Sequence, residues 1–166
     1  MPRSQGDVTV TLSVLDRLVD QEPGNQVEAP LSRAQSVRML KAAVRHDLQA
    51  LLNTRRIAVE PDESLAEVNR SLYVYGLPDF STYTLASPAD QTKLLRQLAT
   101  TIKQFEPRLA NIQITPIEST SLGIQRLKVR IDAVLLMDPR PEQVSFDTII
   151  ELKSGICQVT GETHAG

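Results

Sequence analysis

Glu106-Pro107-Arg108 sets two opposite charges on either side of a rigid proline, where a helical hydrophobic pattern gives way to a strand-like one. Proline disfavours the α conformation in the residue before it, so Glu106 is expected to be extended. Side chains two apart in an extended chain project to the same side, and Glu106 with Arg108 then forms a two-charge fork. Such a fork accepts and donates charge-assisted hydrogen bonds at once, which suits docking onto a partner's polar backbone or paired side chains. The same spacing fits a helix-to-strand connector with an internal ion pair, which is worth little when exposed. The fork is expected at the surface.

Other chemistry is thinly supported. His46, Cys157 and His164 are the imidazole and thiol candidates for a metal, and their spacing matches no zinc pattern. The surroundings of Cys157, Gly155-Ile156-Cys157-Gln158, offer no activating helix N-terminus for a nucleophile. The seven glycines are scattered, so no phosphate-binding loop joins a strand to a helix. A glycosidase needs two carboxylates across a cleft, roles open to Glu106 with Glu118 or Asp132. Against it, Arg108 favours an ionised Glu106 where a general acid must be protonated, and there is no tryptophan to stack a sugar. No catalytic, metal or cofactor residue is therefore assigned.

The helices and strands that must hold the fork are legible from punctuation and period. Residues 1–32 are broken by Pro2, Gly6, Pro23, Gly24 and Pro30 and suggest an arm with a short helix around Val14-Leu15 and Leu18-Val19. Ser32 with Gln35 has the capping-box spacing, and Val37, Leu40, Val44, Leu48 and Leu51 recur at helical steps to about Asn53. Residues 54–86 read as a short helical turn near Ser64–Asn69 and a compact loop. Its aromatics Tyr73, Tyr75, Phe80 and Tyr83 are suited to plugging the side of a core. Ser87, Pro88 and Asp90 start a second helix whose apolar face is Leu94, Leu95, Leu98, Ile102 and Phe105, and Pro107 ends it.

Beyond Pro107 the period becomes two. Three strands are predicted, around Ile112 and Ile114, Leu127 to Ala133, and Phe146 to Leu152, with turns at Ser119–Gly123 and Asp138–Pro141. Helices first and strands afterwards give an α+β fold, with N-terminal helices packed on a small antiparallel sheet. The domain is expected over residues 33–153, with a flexible tail from 154 to 166. Neither sheet edge has an evident internal cover, and an uncovered edge is a place for another chain to add a strand.

Net charge is −2, which fits neither a strongly cationic nucleic-acid binder nor an acidic disordered chain. Between Arg33 and Arg56, however, six basic residues face a single acid, Asp47. Arg38, Lys41 and Arg45 then form a basic helix face. One cysteine fits a reducing compartment, and the absence of a secretory signal or a long apolar run points to a cytoplasmic protein without membrane insertion.

Five segments in order resemble one family: Leu12 to Leu18, Val37 to Leu48, Leu51-Leu52-Asn53-Thr54-Arg55-Arg56, Tyr75-Gly76-Leu77-Pro78-Asp79, and Phe105-Glu106-Pro107-Arg108-Leu109. They are similar to the TssE family of type VI secretion baseplates, within a wider group of phage baseplate wedge proteins once labelled lysozyme-like. The resemblance implies a structural subunit of a six-fold cytoplasmic baseplate. It would contact TssF and TssG, with TssK in the same complex, and would form a platform on which the TssB–TssC contractile sheath begins to assemble. Its fold would be like the domain through which sheath subunits interlock. The resemblance assigns Glu106, Pro107 and Arg108 to contacts with neighbouring wedge subunits. It leaves Arg55 available to a partner, and Arg38 and Arg45 either facing an acidic subunit or solvated. The alternative is a lysozyme-like glycoside hydrolase acting on peptidoglycan.

Overall fold

The computed structural model describes residues 32–120 and 125–161, together with Val10, Ser13, Val14 and Leu18. Helix α1 (Arg33–Asn53) begins with the expected reciprocal cap. Ser32 Oγ accepts from the Gln35 N–H at 3.3 Å, and Gln35 Oε1 accepts from the Ser32 N–H at 2.9 Å. Leu40, Val44, Leu48, Leu51 and Leu52 form the buried stripe. Ser36 is buried where the pattern suggested Val37, and its hydroxyl accepts from the Val10 N–H at 3.1 Å. The expected short helix near Val14–Val19 lies mostly outside the described residues; Val14 and Leu18 are helical and exposed.

Two 3-10 turns, Val68–Arg70 and Leu72–Val74, occupy the connecting segment. Main-chain bonds between Arg56 N–H and Leu77 O and between Leu77 N–H and Thr54 O, both 2.8 Å, pin this segment to the end of α1. Gly76 allows that approach, because at its φ of +99° a Cβ would lie 2.3 Å from Thr54 O. Leu77, Phe80 and Leu85 join the core, and Phe80 meets Tyr83 edge-on at 5.3 Å. Tyr73 is exposed.

Helix α2 (Pro88–Phe105) opens with Ser87 Oγ accepting from Asp90 N–H at 3.3 Å and buries Leu94, Leu98, Thr101 and Ile102. Four strands follow: β1 (Leu109–Thr120), β2 (Arg126–Leu135), β3 (Glu142–Glu151) and β4 (Ile156–Val159). They form an antiparallel meander in chain order. Among the described residues the protein is thus α+β, with the long helices α1 and α2 and a four-stranded sheet. The register places Leu127 opposite Ile150, Val129 opposite Thr148 and Ile131 opposite Phe146, a row buried on the inner face with the helices. The other face carries Lys128, Arg130, Asp132, Ser145 and Asp147. Turn residues 121–124 lie outside the described set.

Two expectations are corrected. The sheet has a fourth strand, formed by residues read from the sequence as a frayed tail. Gly155, at φ +69°, turns the chain back, and Cys157 and Val159 are buried while Ile156 and Gln158 are exposed. Four residues give only two turns of the alternation, too few to stand out. Edge β4 is also covered, contrary to the uncovered edges expected. Gln49 and Asn53 on α1 bond to its outward main chain at Cys157 and Val159.

Candidate functional site

Pro107 ends α2, and the Glu106 N–H still bonds back to Ile102 O at 2.8 Å. Glu106 adopts φ −122° and ψ 76°, outside the helical region, which turns its carboxylate toward the residue two positions on. Arg108 Nε donates to Glu106 Oε1 at 2.6 Å and Nη2 donates to Oε2 at 2.5 Å, a bidentate pair. The Arg108 main-chain N–H donates to Oε1 as well, at 3.2 Å.

The expectation of a fork at the surface is corrected for Glu106, which is 3 % exposed. The physical reason is a long-range partner: Asp47 of α1, whose Oδ2 accepts from Arg108 Nη2 at 2.5 Å. Asp47 draws the guanidinium across the helix–strand junction, and the carboxylate of Glu106 is enclosed beneath it. The Arg108 side chain remains one-quarter exposed and Pro107 is exposed. Hydrogen bonding to Glu106 is the main reason that the guanidinium stays charged well above its ordinary range; burial opposes this and Asp47 adds to it. Arg108 Nη1 makes none of these bonds and remains a potential donor.

These residues border a cleft of about 350 Å³ whose walls include Leu51, Tyr75, Phe105 and Ser13. Tyr75 and Phe105 meet edge-on with centroids 5.1 Å apart. Burial first, and then the charges of Asp47 and Glu106, raise the Tyr75 phenol above its ordinary value, so it is a neutral hydrogen-bonding group at neutral pH. The cleft thus combines a fixed cation, an exposed proline and two aromatic edges, which equips it to hold a protein segment.

The other predicted site residues lie apart from this cleft. Arg38 and Arg45 are exposed on α1 and border a second cleft of about 190 Å³ with Lys41, Phe146 and Gly161. Lys41, between them, is paired with Glu142 at 2.6 Å. Arg55 is exposed, yet its Nη2 donates to Ser154 O at 3.0 Å and closes the β3–β4 turn.

Glu118 stands nine residues along β1 from Leu109, roughly 30 Å at strand rise, too far to work with Glu106 across a glycosidase cleft. Asp132 is on the outer sheet face and accepts from Ser145 Oγ at 2.5 Å. Cys157 is buried, which pushes its thiol up to about 12. Among the described residues no group of His, Cys, Asp and Glu is arranged to hold a metal ion, and no helix is long and apolar enough to cross a membrane.

Sequence reasoning missed Asp47, Gln49 and Asn53. Asp47 had one signal, being the single acid in a basic segment. Gln49 and Asn53 had only their spacing of four on a helix, which places two amides on one face.

Helices α1 and α2 on one face of an antiparallel meander, with a charged cluster fixed at the helix–strand junction, define a small α+β structural domain. The chain belongs to the baseplate wedge protein gp25 family, whose model matches residues 38–140, from α1 through β2. No curated protein and no solved structure matches it. Membership gives it the role of a structural baseplate component that assembles with other baseplate components.

Proposed function

We propose that the chain is the TssE-type subunit of a type VI secretion baseplate, a non-catalytic cytoplasmic platform repeated with six-fold symmetry. In this reading Glu106, Pro107 and Arg108 secure it to TssF and TssG, in a complex that includes TssK, while a sheet edge receives the first strands of the TssB–TssC sheath. The observation that carries the reading is the charged junction: Glu106 and Asp47 hold Arg108 beside exposed Pro107 at the mouth of an apolar-walled cleft. Glu106 acts through Arg108, so the partner meets Pro107 and the guanidinium. Arg38 and Arg45 form a second, weaker contact for an acidic surface, and Arg55 is the least available because it closes a turn of its own chain. Repetition around six positions makes weak contacts collectively strong.

The reading is tested by co-expressing tagged chain with TssF and TssG. Wild type is expected to co-purify with both, and Arg108→Ala, once shown to be folded, to lose most of that recovery. Equal recovery by a folded Arg108→Ala protein would remove the junction from the interface.

A further inference from the structure

The two edges of the sheet are unlike. On β4 the outward main chain is already paired, although the partner is a helix. Gln49 Nε2 donates to Cys157 O at 2.5 Å, and Gln49 Oε1 accepts from Val159 N–H at 2.7 Å. Asn53 Nδ2 donates to the same carbonyl at 2.8 Å, and Asn53 Oδ1 accepts from Cys157 N–H at 3.0 Å. Each amide gives one donor and one acceptor, the complement that a strand residue presents to its neighbour. Being four apart on α1, the two side chains share a face and reach alternate residues of β4.

On β1 no side chain from another element bonds to the outward main chain among the described residues. Two irregularities, at Ala110/Gln113 and at Pro116/Glu118, set off a regularly paired stretch, Gln113–Pro116, with Ile112 inside the first of them. Between them Ile114 pairs opposite buried Ile131 on the inner face, and both Ile112 and Ile114 are only partly buried against the core. Gln113 and Thr115 are exposed, opposite Asp132 and Arg130 on the outer face.

We propose that Gln49 and Asn53 act as a surrogate fifth strand that closes β4, and that residues Ile112–Pro116 of β1 are the edge that receives an extended segment of a partner protein. The proposal rests on the strand-addition reading above and specifies its geometry. The segment that fits is short and alternating. Its apolar side chains complete the cover over Ile112 and Ile114, and its polar ones lie beside Gln113 and Thr115. Pro116 lacks an N–H and the irregularity after it bends the strand, so pairing stops there and the register is fixed. The contrast between edges also keeps copies of this chain from pairing through β4.

Two measurements test this. Photoreactive benzoylphenylalanine at Gln113 or at Gln158, both exposed, is expressed in cells carrying the full gene cluster, and crosslinks to sheath subunits are read by mass spectrometry. Crosslinks from 113 and none from 158 are expected. Crosslinks from 158 would overturn the edge assignment while leaving strand addition standing. Crosslinks from neither would overturn strand addition, and the edge assignment with it.

In the second measurement, the amides of Cys157 and Val159 are followed by hydrogen exchange in the purified protein. They should be protected in wild type and exchange about tenfold or more faster in Gln49→Ala with Asn53→Ala. Unchanged protection in the folded double variant would refute the lock. The crosslinking measurement keeps both α1 amides, so it decides the edge even where the double variant does not fold.

Discussion

Replacing Glu106 by Gln preserves its shape and removes its charge. The carboxylate is 3 % exposed and accepts three hydrogen bonds from Arg108, two of them from the guanidinium. In the variant one acceptor oxygen becomes an NH2 group that faces a guanidinium with nothing to accept from it. Removing one member of a fully buried ion pair costs 3–5 kcal/mol as an order of magnitude, and partial exposure of Arg108 places this case near the lower end, about 3 kcal/mol. With a urea slope of about 2 kcal/mol per molar, the midpoint should fall by about 1.5 M.

Asp47 makes a shorter list of contacts, and its side chain is half exposed. Asp47→Asn should therefore cost no more than about 1 kcal/mol, a midpoint shift of about 0.5 M or less. Arg108→Ala leaves the buried carboxylate without its partner and should cost at least as much as Glu106→Gln. The Glu106→Ala, Arg108→Ala pair should cost less than the sum of the singles by about 1–3 kcal/mol. This cost follows from the burial of Glu106, where the sequence placed the whole fork at the surface. Far-UV circular dichroism in urea reads all five variants, the Glu106→Ala single included. A Glu106→Gln midpoint shift no larger than that of Asp47→Asn would refute the reasoning, because it would mean that the enclosed carboxylate is energetically no different from the exposed one.

Three further outcomes follow from local geometry. Thr101 Oγ1 is buried in α2 with no hydrogen-bond partner among the described residues, so Thr101→Val should leave stability unchanged or raise it by about 1 kcal/mol in the same urea assay. Cys157 holds its thiol neutral up to about 12 against an ordinary 9.0. The unfolded chain therefore ionises first, stability is unaffected below about pH 9, and it declines from there toward pH 12. Alkaline unfolding of Cys157→Ala should lack that part of the slope. Purified protein should not clear peptidoglycan at any pH from about 4 to 8, and clearing abolished by Glu106→Gln would favour the glycosidase alternative.

The elements that punctuate the chain were legible because their causes are local. Ser32 with Gln35, Ser87 before Pro88, and Pro107 act within one turn, and α1 begins, and α2 begins and ends, where those residues place them. Inner-face alternation likewise gave β2 and β3. What escaped was set by distance in sequence. Asp47 meets Arg108 across 61 positions, and Gln49 and Asn53 meet β4 across more than 100. No local pattern reports such pairs. The burial of Glu106 escaped for the same reason, since α1 encloses a residue whose own neighbours are a turn and a proline. Strand β4 was hidden because its order comes from β3 on one side and two helix amides on the other.

The central claim is that this chain is a docking platform within a baseplate. The most direct measurement is a pull-down of the tagged protein from cells expressing the whole gene cluster, read by mass spectrometry beside a folded Arg108→Ala control. Recovery of wedge and sheath subunits by wild type, with wedge subunits lost from the control, is the predicted result. Wild-type protein recovered with neither would contradict it.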